Sequence, residues 1–405
     1  LQLELNLMRT SDNHFEIDDA VDLQLATLDL DGIYTLTQDI DASVTREWNC
    51  ISSCTTGTPE YAGFEPIGSY NDRFLGTLDG QQHEIDGLYM KWDSGDFVAL
   101  FEAVGEGALI KDLGLTSVHI EGGQRLAALA GYMTGASRVQ NSYSTGNIYA
   151  TNAAWAGGLI GIMQDDADSI IQNSYSTANV SGYAWSMGGL IGLFNSGKVF
   201  NSYTLGSVSN TAEVNSGFDT GGLTGIIGSQ ATIINSYAAG PITGNNAGGL
   251  MGSSQGFGGT VKNSFWDVDT TGQATSAAGT GLTHAEALTK STYTNAGWDF
   301  TSIWQIPEGI DAPRLIAEGN LDAISGQVYD SSLSASAQNI GVVLGGGSSI
   351  ARHTVSLSDG SYSFALSARE MENAAGDEVI IFVDNNTGFT ANTLFRKEDD
   401  VDVTD

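Results

Sequence analysis

The sequence predicts an all-β chain whose main part is a parallel β-solenoid, in which each coil stacks on the coil before it. Two short blocks, GLxG and NSY, recur in fixed order, with 32, 28, 34 and 28 residues between successive NSY blocks. Repeats of this length are typical of solenoids, because each unit buries its apolar faces only against its neighbours. Helical periodicity is nearly absent, and residues 283–290 form the one short predicted helix.

The NSY block predicts a strand that carries two side-chain ladders. The residue two positions before each Asn is β-branched and apolar, while the residue between them varies, which indicates a strand with one buried face. Asn, two positions later, lies on the same buried face of the strand unless the chain bends there. A buried Asn needs a hydrogen-bond partner. Coils stacked ~4.8 Å apart allow Asn to bond Asn. We therefore predict structural ladders rather than a ligand-binding row, at Asn141, Asn173, Asn201, Asn235 and Asn263 and at Tyr143, Tyr175, Tyr203, Tyr237 and Phe265.

The GLxG block predicts a tight corner in each coil. Its copies occupy 128–131, 158–161, 189–192, 222–225 and 249–252. In the last four copies a second Gly precedes the block, which permits either a positive φ or a close approach of two backbones. Insertions at 164–169 and 210–219 are expected to bulge from one edge without disturbing the stack.

Composition narrows the classes of partner. Lys and Arg number 15 against 48 Asp and Glu, a net charge of −33, which opposes binding to nucleic acid or to anionic lipid surfaces. No run of ~18 apolar residues is present, so we expect no membrane insertion. Cys50 and Cys54 are the only cysteines, which excludes a zinc site of four cysteines. We expect them to form a local disulfide in an oxidising compartment, with free thiols as the alternative.

Few residues suggest a catalytic, metal-binding or ligand-binding site. The five histidines are far apart, which argues against an acid–base or metal site built from His. The best acidic cluster is Asp165, Asp166 and Asp168, and a weaker DxDxxG pattern starts at Asp267. Both are expected to be solvated loop acids, with an occasional Ca²⁺ as the alternative, and we predict no other cofactor. Trp155 and Trp185 precede two corners, where they either pack or stack on sugar rings.

The combined unit, Gly-Leu-x-Gly with Asn-Ser-Tyr-Ser-Thr-Gly, resembles the GLUG repeat of filamentous-haemagglutinin-like bacterial surface adhesins. Residues 34–43 and 64–80 resemble the lead-in coils of such arrays, and 265–304 resembles their closing segment. The resemblance covers about residues 30 to 316. It implies a secreted, right-handed parallel β-helix at the bacterial cell surface, joined to neighbouring domains of a larger adhesin. Ala128 for Gly and Phe265 for Tyr depart from the pattern at the ends of the array, where atypical repeats are expected.

These features divide the chain into a lead-in flank (1–30), the solenoid (31–320) and a C-terminal module (321–405). The module alternates polar and apolar residues around turns at 324–329 and 358–364, and it resembles the small β-sandwich of carboxypeptidase-regulatory modules. No closing strand is identifiable in 397–405, which leaves open whether the module is complete.

Two functions fit the sequence. The first is a non-catalytic structural and adhesive segment, a rigid stalk that presents loops to cells, surfaces or matrix polysaccharide. The alternative is a polysaccharide lyase or hydrolase on a β-helix scaffold, which requires clustered carboxylates on adjacent coils. Because the acidic clusters do not recur from coil to coil, the sequence favours the stalk.

Overall fold

The computed structural model describes residues 9–11, 13–55, 58–92, 96–212, 219–253, 258–327, 339–344, 352–356, 360–367, 370, 378–383 and 392–396. These residues form mainly β-strands and confirm the predicted β-solenoid. Two large sheets run along it, and all but one of their strand pairs with assigned register are parallel in the described part of the chain. No described helix is long and apolar enough to cross a membrane.

Within the described residues, the first large sheet has 14 strands and the second has 17. The first contains Arg9–Ser11, His14–Ile17, Ile33–Leu36, Thr77–Asp79, Phe101–Val104, Leu109–Lys111, Ala130–Met133, Arg138–Gln140, Ile160–Met163, Ile170–Gln172, Ile191–Phe200, Thr224–Ile234, Met251–Ser253 and Thr260–Lys262. The second contains Ile40–Asp41, Glu84–Asp86, Tyr89–Trp92, Phe97–Val98, Gly114–Gly122, Arg125–Leu126, Tyr143–Gly157, Tyr175–Ser176, Asn179–Gly188, Tyr203–Thr204, Val208–Asn210, Asp219–Gly221, Tyr237–Ala238, Ile242–Thr243, Ala247–Gly248, Phe265–Asp267 and Thr280–Leu282. The α-helices are Ala20–Leu25, Val268–Thr271, His284–Ala287 and Lys290–Asn295, and the 3-10 helices are Ala26–Leu28, Ser43–Glu47 and Ile316–Glu318.

The β-branched positions before each NSY block form one continuous column in the solenoid core. Each pairs in parallel register with its counterpart in the next coil, beginning one coil earlier than predicted, at Ile110. The first four predicted members are fully buried, and the last is half-buried at the end of the array. The column is Ile110, Val139, Ile171, Val199, Ile233 and Val261.

Parallel stacking begins inside the predicted lead-in flank rather than at residue 31. The strand His14–Ile17 already pairs in parallel with Ile33–Leu36. Alternate side chains of this strand point inward, which places Phe15 and Ile17 in the same core as the later coils. The first coil therefore lacks the GLxG and NSY blocks but buries its apolar residues in the same way.

The corner glycines are required by close backbone approach and not by a left-handed conformation. None of the doubled glycines of the GLxG corners is among the described glycines with positive φ. A Cβ on Gly222 would lie 2.3 Å from the carbonyl oxygen of Gly249 and 2.5 Å from the Cβ of Ala238. At the doubled glycines, neighbouring coils thus meet at distances that only glycine permits.

The Asn ladder exists, and of the two alternatives for its members, burial or a bend of the chain, the structure has the bend. All five asparagines have φ between 47° and 50°, because the chain bends at this position. The bend turns each side chain to the surface, where it is half-buried or exposed. Asn tolerates this left-handed conformation better than most residues. The Nδ2 groups of Asn173, Asn201 and Asn235 each donate to the Oδ1 of the preceding Asn, at 3.3, 3.2 and 3.4 Å.

The serine of the NSY block is the buried polar residue of the corner. Its hydroxyl donates to a main-chain carbonyl two residues earlier, and its oxygen accepts the backbone N–H of the serine in the preceding coil. The bend interrupts the strand pairing, so this second ladder pairs main-chain groups that would otherwise be orphaned. Its members are Ser142, Ser174, Ser202, Ser236 and Ser264.

The tyrosine ladder is confirmed, and it lies outside the solenoid core. Ring centroids of the consecutive pairs Tyr143–Tyr175, Tyr175–Tyr203 and Tyr203–Tyr237 are 4.8, 4.8 and 5.2 Å apart. Phe265 continues the register after Tyr237. These rings belong to a second apolar cluster, separate from the interior of the coils.

Residues 283–318 form a closing segment that folds back over the tyrosine ladder. Trp298 and Trp304 contact Tyr237 from this segment, with centroids 6.2 Å apart in both pairs. The hydroxyl of Tyr203 donates to Glu318 at 2.7 Å, deep inside the cluster. The segment begins at the predicted helix, where Thr283 and Glu286 form a capping box. It converts an exposed row of rings into a second core.

The closing segment is joined to the C-terminal module by a buried arginine. Arg314 is fully buried, and its guanidinium lies 2.8 Å from both Glu318 and Glu370. Asp311 accepts the backbone N–H of Ala365 at 3.1 Å across the same junction. A buried charge is stable only with such partners, so the junction depends on this network.

The described strands of the module form two sheets that share one apolar core, as expected for a β-sandwich. One sheet pairs Leu321–Gln327 with Ser361–Ser367, and the other contains Asn339–Leu344, Arg352–Val355, Glu378–Val383 and Asn392–Arg396. Residues 397–405, where no closing strand was predicted, lie outside the described residues.

The predicted disulfide between Cys50 and Cys54 is present. It lies at the hairpin in which Cys50–Ser52 pairs with Glu60–Tyr61. These two strands form a sheet of their own, apart from the two large sheets, so the bond fixes a loop and not the stack itself.

Gly222→Val should destabilise the chain far more than Asp166→Ala. The valine side chain would meet backbone atoms that cannot yield, at a cost of about 3 kcal/mol. Asp166 makes only partly exposed loop contacts, so its loss should cost about 1 kcal/mol or less. Thermal melting of both variants checks the ranking, and the reverse order would contradict the corner assignment.

His284 should make stability depend on pH. Burial opposes its charge, but the hydrogen bond from its Nδ1 to Asp267 at 2.6 Å and the charge of Asp267 outweigh burial and raise the pKa above 6.5. Because the pKa of His284 is higher in the folded than in the unfolded state, its protonation stabilises the fold. This stabilisation is complete below the unfolded-state pKa and is lost as the pH rises through the folded-state pKa. The wild type should therefore lose melting temperature above pH 6.5 relative to His284→Gln. Parallel pH profiles would contradict this expectation.

Candidate functional site

The candidate site is a pocket on the outside of the solenoid, in the concave angle that the corners create. On one wall, Phe97, Arg125 and Trp155 occupy equivalent positions of three successive coils. On the other wall, Tyr132 and Ile162 are equivalent in two successive coils. Parallel register thus brings together residues that are far apart in sequence.

The pocket has a volume of about 470 Å³, within the range typical of small-molecule sites. Aromatic rings form much of its lining, and carboxylates, amides and one guanidinium complete it. The lining residues are Ser69, Tyr70, Asn71, Asp96, Phe97, Glu102, Arg125, Tyr132, Trp155, Ile162 and Gln164.

Arg125 lies between two aromatic rings. Its guanidinium carbon is 4.5 Å from the ring centroid of Phe97 and 4.9 Å from that of Trp155. These cation–π contacts fix the plane of the guanidinium. No ion pair joins Arg125 to another residue in the described ranges. Its N–H groups, which point outward in the plane, are therefore available to a ligand.

A cluster of three rings connects the two walls of the pocket. Tyr70 stacks on Phe97 at 5.6 Å, and Tyr132 meets Tyr70 edge-on at 5.2 Å. Arg73 lies over both tyrosine rings, 5.3 and 5.4 Å from their centroids. Tyr70 is 40% exposed, so part of this supported ring is presented to solvent.

Two acidic side chains are hydrogen-bonded to these same tyrosine residues. Glu102 accepts the backbone N–H of Tyr70 at 2.8 Å, and burial, together with the charge of Asp96, raises the pKa of Glu102. The hydroxyl of Tyr132 donates to Asp165 at 2.5 Å, and burial followed by this hydrogen bond raises the pKa of Tyr132 to about 12. Tyr132 therefore remains a neutral hydrogen-bond donor at physiological pH.

Trp155 and Trp185, the two candidate sugar-stacking residues, do not occupy equivalent positions. Trp155 lies in the pocket, but its partner in the next coil is Ser186. The register slips by one residue between Ala150 and Ala153, so Trp185 falls on the opposite parity and its side chain is 59% exposed. The two tryptophans therefore do not make one stacking row.

The predicted acidic cluster does not converge on one point. Asp165 bonds Tyr132, Asp166 accepts the N–H of Asp168 at 2.7 Å, and Asp168 pairs with Lys198 at 3.0 Å. In the described ranges, the group of carboxylates whose oxygens lie within 4.8 Å of one another is instead Asp18, Asp19 and Asp22.

The DxDxxG pattern also has a structural use. Asp267 caps the helix Val268–Thr271 and bonds His284, while Asp269 accepts the backbone N–H of His284 at 2.7 Å. Both carboxylates hold the start of the closing segment. The geometry is that of a helix cap and a buried ion pair, not of a calcium loop.

The sequence interpretation missed Tyr70, Phe97, Arg125 and Tyr132. The available signal was degenerate repetition, because 125–129 is a copy of the Trp155 corner with Ala in place of both corner glycines. Aligning Arg125 with Trp155 would have placed a cation beside an aromatic ring on one wall of the solenoid.

Comparison with known proteins supports the fold and gives partial relatives. The chain is 31% identical over 309 residues to halomucin of Haloquadratum walsbyi, covering 73% of this chain and 3% of halomucin. It is 29% identical over 375 residues to a Gly-rich membrane protein of Evansella cellulosilytica, covering 69% of this chain and 42% of that protein. The chain thus spans less than half of either relative, and no family model matches it.

A solved structure from Bacteroides ovatus, named as a candidate immunoglobulin A1 protease, is similar in fold. The TM-score is 0.55 at 22% identity, over 76% of this chain and 94% of that one. At this identity the likeness supports the solenoid architecture alone, and it carries no activity over to this chain.

Proposed function

We propose that this chain is a non-catalytic structural and adhesive segment of a large secreted surface protein, of the filamentous-haemagglutinin-like adhesin type. The observation that carries the proposal is the continuity of the ladders, in which Asn, Ser and Tyr each bond or stack on their own copies. Such a stack resists unravelling, because each coil is paired with its neighbours at several faces. A rod of this kind can hold a binding surface away from the cell.

The relatives support a surface or secreted location. One is named as a membrane protein, and both are much longer than the region that matches. A segment within a longer chain is what a stalk would be. The local disulfide agrees with an oxidising compartment, and neighbouring domains of the same adhesin are the expected partners.

A carbohydrate-active enzyme is the second candidate, and Glu102 is the observation that favours it. A carboxyl group with a raised pKa, in an aromatic pocket beside Asp96, resembles a general acid. Both carboxyl groups are absent from the neighbouring corners of the solenoid, so only this pocket supports the hypothesis.

Incubation with polysaccharides separates the two candidates. We expect particles coated with the purified chain to be retained on polysaccharide-coated surfaces. We also expect the chain to release no new reducing ends from the polysaccharide. Particles that do not carry the chain are the control for retention. Release of reducing ends that Glu102→Gln abolishes would instead establish the enzyme, and loss of retention would contradict the adhesive role.

Stability should rise with salt. With a net charge of −33, acidic side chains repel one another across the folded surface, and salt screens this repulsion. We expect the melting temperature to increase as NaCl is raised to ~1 M, where the Debye length falls to about 3 Å. A melting temperature that falls over this range would show that ion pairs, and not repulsion, dominate the surface.

A further inference from the structure

We propose that the pocket between Tyr70 and Trp155 binds a neutral glycan chain, which would be the ligand of the adhesive segment. This inference rests on the proposed function for its biological meaning, but the binding itself can be measured on the isolated chain. It identifies the ligand class from the shape, charge and hydrogen-bonding groups of the site.

The arrangement of the lining suits a sugar ring. Sugars have apolar faces and a rim of hydroxyl groups, and they need flat apolar surfaces flanked by donors and acceptors. Trp155 and Tyr70 supply partly exposed rings, while Glu102, Asn71 and Gln164 supply polar atoms on the same walls. Aromatic rings with adjacent polar groups bind amphipathic ligands through both features.

Arg125 is prepared to bind hydroxyl groups. Rings cover both faces of its guanidinium, so a ligand can reach only the N–H edge. The rotamer is fixed before binding, which lowers the entropic cost of forming hydrogen bonds. An arginine held only to brace the fold would be expected to have a carboxylate partner, and none is found in the described ranges.

The charge of the surroundings favours a neutral ligand over an acidic one. Arg73 and Arg125 are outnumbered near the pocket by Asp96, Glu102 and Asp165. The whole chain carries −33, which repels polyanions over several ångströms beyond the pocket. A uronate polymer would meet this field before it reached Arg125.

The length of the site favours a chain of sugars over a single ring. The walls come from four stacked coils, which correspond to three spacings of ~4.8 Å, or about 14 Å along the solenoid. The site opens on the outer face and runs across the coils. A linear oligosaccharide laid along the axis could contact Tyr70 at one end and Trp155 at the other.

Calorimetric titration of the full chain with neutral oligosaccharides of increasing length tests the proposal. Glucose-, mannose-, galactose- and N-acetylglucosamine-based series are the probes, with an oligogalacturonate series as the acidic arm. We expect affinity for at least one neutral series to rise from the disaccharide onward and to change little with salt. Preference for the acidic series, with affinity that falls as salt is added, would overturn the proposal, as would the absence of binding to every series.

Trp155→Ala should weaken binding at least tenfold, and Trp185→Ala is the matched control. Both change a tryptophan just before a corner, but Trp185 lies outside the pocket and is 59% exposed. Tyr70→Ala, at a second exposed ring, should also weaken binding, and it guards against a folding defect at Trp155. Melting curves establish that each variant is folded. If folded Trp155→Ala and Tyr70→Ala both bind like the wild type, the pocket is not the site.

The two proposals fail in different ways. If the wild type retains particles and folded Trp155→Ala retains them equally, the adhesive role stands and the pocket assignment is overturned. If oligosaccharides bind at Trp155 but particles are not retained, the pocket assignment stands and the adhesive role is overturned.

Discussion

The structure depends on one constraint, which is that every coil is paired in parallel and nearly in register with the next. A side chain at a repeated position therefore has its own copy as its neighbour, ~4.8 Å away. Residues that bond or stack on their own copies are favoured there: Asn bonds Asn, each Ser hydroxyl accepts the backbone N–H of the Ser in the preceding coil, and tyrosine rings stack. Glycine is favoured where two corners would otherwise collide. The GLxG and NSY blocks recur in the sequence because each coil must meet this constraint.

The same constraint creates a surface that must be covered. Stacked tyrosines leave one flank of the solenoid apolar, and a bare row of rings would promote association. The closing segment covers this flank with Trp298 and Trp304, and its buried Arg314 joins Glu318 of the segment to Glu370 of the module. The β-sandwich module is thus linked to the ladder by specific bonds, and the C-terminal part of the fold completes what the repeat leaves open.

Features that repeat could be predicted from the sequence, and features that occur once could not. The ladders, the corners and the column from Val139 to Val261 follow from periodicity. The outward turn of the asparagines depends on a bend that alternation alone does not reveal. The slip between Ala150 and Ala153 moved Trp185 away from Trp155. Its trace in the sequence is only a one-residue difference in the spacing of the two tryptophans to their corner glycines. The pocket escaped detection because three of the four coils that form its walls lack an intact GLxG block.

The degeneration of these blocks also explains where a binding site can form on such a scaffold. A perfectly repeated coil presents identical side chains in rows, so it cannot assemble a set of unlike groups around one ligand. The pocket forms where repetition fails, since Phe97, Arg125 and Trp155 are three different residues at one equivalent position. Register places them within contact distance, and divergence makes them chemically complementary. Under the proposed function, the regular coils would supply rigidity, and the pocket formed where repetition fails would supply recognition.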